Sequence, residues 1–215
     1  ACAGRDQRVI ETLAQFDEIV AAPDAQALFS DGVVLEQNLR DVKTQSVGQS
    51  RIDGKLISYC GVQHLTRDSE GLEVYGGSDL LVVQGGYIEL LRLDLPDDVR
   101  EAVRLAQVFD DAANQAYPGF FASRRNYDIA QGLDVGGQPR GGVLEQSWRM
   151  GGASSAELAA LQVFVEEPTT SVVRVSSVET YVEQPLPAGA VEVYRGPAHN
   201  GDFLLKYATV HSHDG

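Results

Sequence analysis

The sequence predicts an α+β fold: a large curved or closed antiparallel sheet carrying two long amphipathic helices. Three observations predict it. Apolar residues recur at helical spacing over residues 7–22 and again after Pro96. Much of the remaining chain divides into strand-length runs bounded by turn signals such as Asp53-Gly54, Gly85-Gly86 and Pro168-Thr169. The strands follow one another without a helix between each pair, which disfavours a doubly wound parallel sheet. With 215 residues, 43% of them hydrophobic, the chain can bury a core and reads as a single domain over 1–215. The other reading is two similar halves, 5–95 and 96–215.

Taken in order, residues 7–22 place Val9, Ile10, Leu13, Phe16 and Val20 on one stripe, and Pro23-Asp24 stops it. Residues 33–37 read as a short strand after the Ser30-Asp31-Gly32 turn, and 38–51 are polar and poorly patterned. Asp53-Gly54 turns the chain into a strand through Tyr59. Residues 72–75 and 79–84 read as strands. Gly85-Gly86, which adopts positive φ at no Cβ cost, turns the chain into a further strand at 87–93. Pro96-Asp97-Asp98 opens the second helix, with proline in the first turn and acids at the positive end of the dipole. Its stripe is Val99, Ala102, Val103, Ala106, Phe109 and Ala113. Residues 117–140 read as an irregular, breaker-rich stretch, and 143–150 as a strand. Ser154-x-x-Glu157 has capping-box spacing, so 155–162 is a short helix or else the start of a strand ending at Val165. Residues 171–183 form a long strand whose alternation slips at Ser176-Ser177, where a bulge is expected. Strands at 191–195 and 203–213 close the chain. The last puts Phe203, Leu205, Tyr207, Thr209, His211 and His213 on one face.

The net charge of −14 argues against a nucleic-acid partner, because phosphate contact needs a surplus of Lys and Arg. The deficit is not local: 17 acids face 9 bases in 1–100, and 14 face 8 in 101–215. No apolar run reaches the ~20 residues of a membrane helix. The two cysteines, Cys2 and Cys60, form no CxxC, so a zinc ribbon or thioredoxin-type motif is absent. They are either two free thiols or a disulfide. Ala1-Cys2-Ala3-Gly4 looks like the small-residue end of an export or lipoprotein signal, which sets the expectation of an exported protein.

The motifs G-x-S-x-G, G-x-G-x-x-G, H-E-x-x-H and the P-loop are all missing. Cys60-x-x-x-His64 has the residue types of a catalytic pair, but its strand context is apolar and favours an inert thiol. His211-x-His213 has two-ligand metal spacing at a chain end, where solvent exposure is the default, and no metal site is assigned. Two segments echo each other: Leu13-Ala14-Gln15-Phe16-Asp17 with Val34-Leu35-Glu36-Gln37-x-x-Arg40, and Leu105-Ala106-Gln107 with Val143-Leu144-Glu145-Gln146-x-x-Arg149. Duplication and chance both account for them. On a strand, Glu145 and Arg149 share a face ~13 Å apart, as do Glu36 and Arg40, too far for a salt bridge but able to hold two ends of one polar ligand. Either they do so, or they form an outward polar face. Arg124, Arg125, Arg140 and Arg149 concentrate positive charge locally and would attract an anionic ligand. Tyr59, Tyr181, Tyr194 and Tyr207 suit a cavity wall, since each combines apolar area with a hydroxyl.

Residues 103–181 resemble part of the CpcT/CpeT chromophore lyase family, which attaches bilins to phycobiliproteins. The resemblance is carried by Leu105-Ala106 with Phe109, Gln115-Ala116, Phe120-Phe121, the strand from Gly141 to Gln146, and Glu179 with Tyr181. It implies a calyx-shaped antiparallel barrel, a homodimer, and a bilin or similar small ligand; relatives outside phototrophs look like exported lipoproteins. The chain departs from the family at Ala159-Ala160-Leu161-Gln162, where a basic stretch would stand, and it lacks the later Gly-Cys. Residues 7–93 are similar to the SnoaL/ketosteroid-isomerase cone fold, through the first helix and Ala27-Leu28-Phe29-Ser30-Asp31-Gly32-Val33-Val34-Leu35. That resemblance implies a cyclase, isomerase or binding protein. The leading expectation is an exported acidic protein that binds a small amphipathic, anionic, tetrapyrrole-like ligand in a β-sheet cavity. Its polar contacts would be Glu145, Gln146, Arg149 and Tyr181, with Glu36, Gln37 and Arg40 as counterparts and Arg124 and Arg125 nearby. The alternatives are a cone-fold enzyme and an assembly subunit that pairs edge strands between chains.

Overall fold

The computed structural model describes residues 8–21 and 34–213. Cys2, Pro23-Asp24 and the Ser30-Asp31-Gly32 turn lie outside the described residues. The first helix, α1 (Leu13–Val20), starts at a reciprocal cap: the Thr12 hydroxyl accepts from the Gln15 N–H, and Gln15 Oε1 accepts from the Thr12 N–H. No residue of α1 is buried.

Residues 34–39, expected to include a strand, have no regular secondary structure, and the strand begins later, at β1 (Arg40–Ile52). This stretch read as polar and unpatterned because its buried face carries Ser46 and Ser50. Those hydroxyls donate to Asp128 and Glu157, so burying them costs little. Asp53 and Gly54, both at positive φ, turn β1 into β2 (Lys55–Arg67), as the sequence predicts. Next comes β3 (Glu73–Gln84), and after Gly85-Gly86 the expected strand is instead a short helix, α2 (Tyr87–Leu91). Glu89 reaches back to accept the Gly86 N–H at 2.8 Å, which favours a helical turn over a hairpin. The long helix α3 (Asp97–Ala116) buries its predicted stripe at Ala102, Val103, Ala106 and Ala113.

The stretch expected to be irregular contains β4 (Arg124–Leu133) and the start of β5 (Pro139–Ser147). Asp134 builds the turn between them, its Oδ1 accepting the Gly136 and Gln138 N–H groups. Residues 154–166 form a full helix, α4 (Ser154–Glu166), without the predicted capping box. Glu157 is committed to Arg124 and Ser50 instead. The chain ends in β6 (Val172–Thr180), β7 (Val191–Pro197) and β8 (Phe203–His213). The bulge expected at Ser176-Ser177 is absent, since both residues pair in regular register with β3 and β8; the irregularity lies on β8 instead, where Arg174 pairs with Ser212 and Val175 with Val210, leaving His211 as the extra residue.

The eight strands of the described residues form one antiparallel sheet in the order β5-β4-β1-β2-β3-β6-β8-β7. The sheet is open, not closed, with β5 and β7 at its edges. One long helix stands where two were expected, since α1 has 8 residues, α3 has 20 and α4 has 13. Alternation gives each strand two faces, and helices cover both. On one face α2 and α3 pack over Val47, Cys60, Val83, Tyr127 and Ile129. On the other α4 packs Ala156, Ala160 and Phe164 over Ile57, Tyr59, Val82 and Val173.

Candidate functional site

A cavity of about 560 Å³ opens on the α2–α3 face of the sheet. That size suits a small organic ligand. Its walls are apolar at Cys60, Val62, Leu81, Leu95 and Val99. The last two come from the α2–α3 connection and the first turn of α3, which roof the sheet there. Polar groups reach it from Gln45, Asp79, Asp94, Arg174 and His211. Arg174 is exposed and makes no ion pair among the described residues. Burial pushes the Cys60 thiol up to about 12, against the pull of Arg174, so it is an inert wall residue at neutral pH. Cys2 lies outside the described residues, and Cys60 is a free thiol.

A hydrogen-bonded row flanks the cavity. His64 Nε2 lies 2.6 Å from Asp79 Oδ2, Ser176 donates to Asp79 Oδ1, and Ser176 Oγ lies 2.6 Å from His211 Nε2. The sheet register builds the row, because Asp79 pairs with Ser176 and the β8 bulge delivers His211 beside it. Burial raises the Asp79 carboxyl; the hydrogen bonds from Ser176 and His64 outweigh that and hold it below the usual carboxylate range. The row has the residue types of a catalytic triad but not the order. The carboxylate stands between His64 and the Ser176 hydroxyl and does not touch His211, the imidazole on that hydroxyl; Ser176 is also 5% exposed, so it is not placed as a nucleophile. Cys60 and His64 do not pair. His211 and His213 take different partners, Ser176 and Glu167, and no cluster of three metal-binding side chains occurs among the described residues.

The predicted contact residues do not converge. Glu36 and Gln37 are exposed ahead of β1, and Arg40 at its start donates to the Asp134 carbonyl. Glu145 and Gln146 are exposed on edge strand β5, where Leu144 is the extra residue of a bulge. Arg149 follows β5, exposed, and donates to the Met150 carbonyl. Tyr181 follows β6, five strands from β5, or ~24 Å at the usual strand spacing. Arg124 and Arg125 go to opposite faces. Arg124 holds Glu157 of α4, both nearly buried, and Arg125 holds Asp110 of α3. Arg140 pairs with Asp134. So three of the four clustered arginines are neutralised within the fold.

Each buried pair anchors a larger polar network. On the α4 face, Tyr59 donates to Asn126, and Asp128 Oδ1 accepts from Ser46, Gln63 and Asn126. Burial opposes the Arg124 charge, yet Tyr59 and Glu157 outweigh it and raise its pKa. On the α3 face, Trp148 donates to the Tyr127 hydroxyl, which donates to Asp110 at 2.5 Å, and Arg125 also stacks over Phe120. Two residues that sequence reading missed, Arg174 on the cavity wall and Ser176 in the row beside it, had one visible signal: they alternate with Val173 and Val175, so both polar groups share a strand face.

A family model described as protein of unknown function (DUF3182) matches residues 1–208, and the chain belongs to that family. No curated protein matches the chain. Among solved structures, that of chicken CD1-1 is 12% identical over 80% of this chain and 90% of that chain, with a TM-score of 0.18, which carries no argument about fold. No described helix is long and apolar enough to cross a membrane.

Proposed function

We propose that this member of the DUF3182 family holds a small amphipathic ligand with an anionic group in the cleft between the sheet and the α2–α3 connection. The observation that carries the reading is Arg174: a guanidinium without an ion-pair partner among the described residues, at the rim of an apolar cavity in a protein of net charge −14. The apolar wall takes the ligand body by burying its surface, and Arg174 fixes the anionic end. A tetrapyrrole-like ligand, with its carboxylates and long apolar body, is the finer form of this reading.

The test is a fluorescence titration with 8-anilinonaphthalene-1-sulfonate and with biliverdin. Both should bind saturably, one per chain. Arg174→Met should weaken both about tenfold, the worth of one charge-assisted hydrogen bond, and added salt should weaken only the wild type. Equal affinity in the variant, or no saturable binding, overturns the proposal. Acid–base turnover in the same cleft is the second reading, favoured by a carboxylate and an imidazole on an apolar wall.

A further inference from the structure

We infer that His211 reads the ligand through a fixed tautomer, with the proton on Nε2 and Nδ1 free as a hydrogen-bond acceptor on the cavity wall, so that the site selects amphipathic anions whose apolar body carries a hydrogen-bond donor. The inference rests on the cavity reading above and adds the ligand class.

The proton count fixes the tautomer. An ionised carboxylate only accepts, so Asp79 takes one proton from Ser176 at Oδ1 and one from His64 Nε2 at Oδ2. A serine hydroxyl has a single proton, and that of Ser176 is committed to Asp79. The 2.6 Å contact between Ser176 Oγ and His211 Nε2 must therefore be donated by the imidazole. A neutral imidazole protonated at Nε2 keeps its lone pair at Nδ1. Ser176 is buried, which shields its side of this bond, while the His211 side chain is exposed. Nδ1 of His211 has no hydrogen-bond partner among the described residues, on a side chain that lines the cavity. Arg174 and Ser176 share a strand face two residues apart, ~7 Å by strand rise, and His211 sits on Ser176, so Arg174 and His211 serve the same stretch of the cavity wall.

Two measurements test this on the full chain. Long-range proton–nitrogen NMR of the imidazoles should show His211 and His64 protonated at Nε2. Ser176→Ala should turn His211 into a mixture of tautomers and leave His64 unchanged. A wild-type His211 protonated at Nδ1, or one indifferent to Ser176→Ala, overturns the relay. The binding probes are indole-3-acetate, which carries an N–H donor, and 1-naphthaleneacetate, which matches it in shape and charge but has none. Indole-3-acetate should bind about fivefold tighter, the net worth of one hydrogen bond. His211→Phe should abolish that preference, so that the two acids bind it alike. Equal binding of both acids to the wild type overturns the tautomer reading alone; failure of both to bind overturns the cavity reading with it.

Discussion

Arg124 and Arg125 are neighbours in the chain, yet strand alternation sends them to opposite faces, each to a helix carboxylate. The two pairs clamp α4 and α3 to the same strand. Removing one partner of a buried pair strands the other charge, so Arg124→Met should cost about 3–5 kcal/mol by urea unfolding. Arg124→Met with Glu157→Met should recover most of that loss, since neither charge is then left alone; a double variant as unstable as the single one contradicts the clamp. Gly48 makes a second residue-scale argument. A Cβ there would sit 2.5 Å from the Arg125 carbonyl oxygen and closer still to the Tyr59 hydroxyl. Gly48→Ala should therefore cost about 1–3 kcal/mol through overpacking. Gly142→Ala, with nothing within 4 Å of its Cβ, should change stability by less than about 0.5 kcal/mol. Equal effects at the two glycines would refute the close approach.

At the scale of elements, legibility followed the chemistry of the buried face. α3 was readable because its buried stripe is wholly apolar apart from Asp110. The turn at Asp53-Gly54 was readable because positive φ at two successive residues selects that pair. β1 and β4 were not, because hydrophobic periodicity cannot register a face built from Ser46, Ser50, Arg124 and Asn126, whose burial is offset by partners more than 30 residues away. α2 was misread as a strand because Tyr87-Ile88-Glu89-Leu90-Leu91 is too short for its period to choose, and the Glu89 bond to Gly86 decided it. The row beside the cavity was partly legible: His64 and His211 stood out singly, while Asp79 read only as the start of a strand. What assembles them is register and a β8 bulge, neither of which a single sequence states.

For the whole molecule, the buried phenols and the acidic surface together set a pH window of stability. Burial, first of all causes, raises the pKa of Tyr59, Tyr87 and Tyr127, and of the Cys60 thiol to about 12. The native chain then holds protons that the unfolded chain releases, so stability is full below the unfolded values and falls as pH rises above about 9–10. The acid limb has the opposite origin. Bonds from Lys43 hold Asp98 low, and bonds from backbone N–H groups hold Asp134 and Glu89 low; Asp79 is held low by Ser176 and His64 against its own burial. Their contribution is present above the unfolded carboxylate values and is lost as pH falls below about 4. Between the limbs, the charge of −14 repels itself and fades toward the pI near 4.6, so the optimum lies on the acid side of neutrality. Urea midpoints across pH should peak at about pH 5–6 and drop steeply above about pH 9. At pH 8, about 0.5 M salt should raise the midpoint by screening the repulsion. A midpoint unchanged from pH 7 to about pH 10.5 would mean that the phenols meet water in the native state, contrary to their burial under α3 and α4.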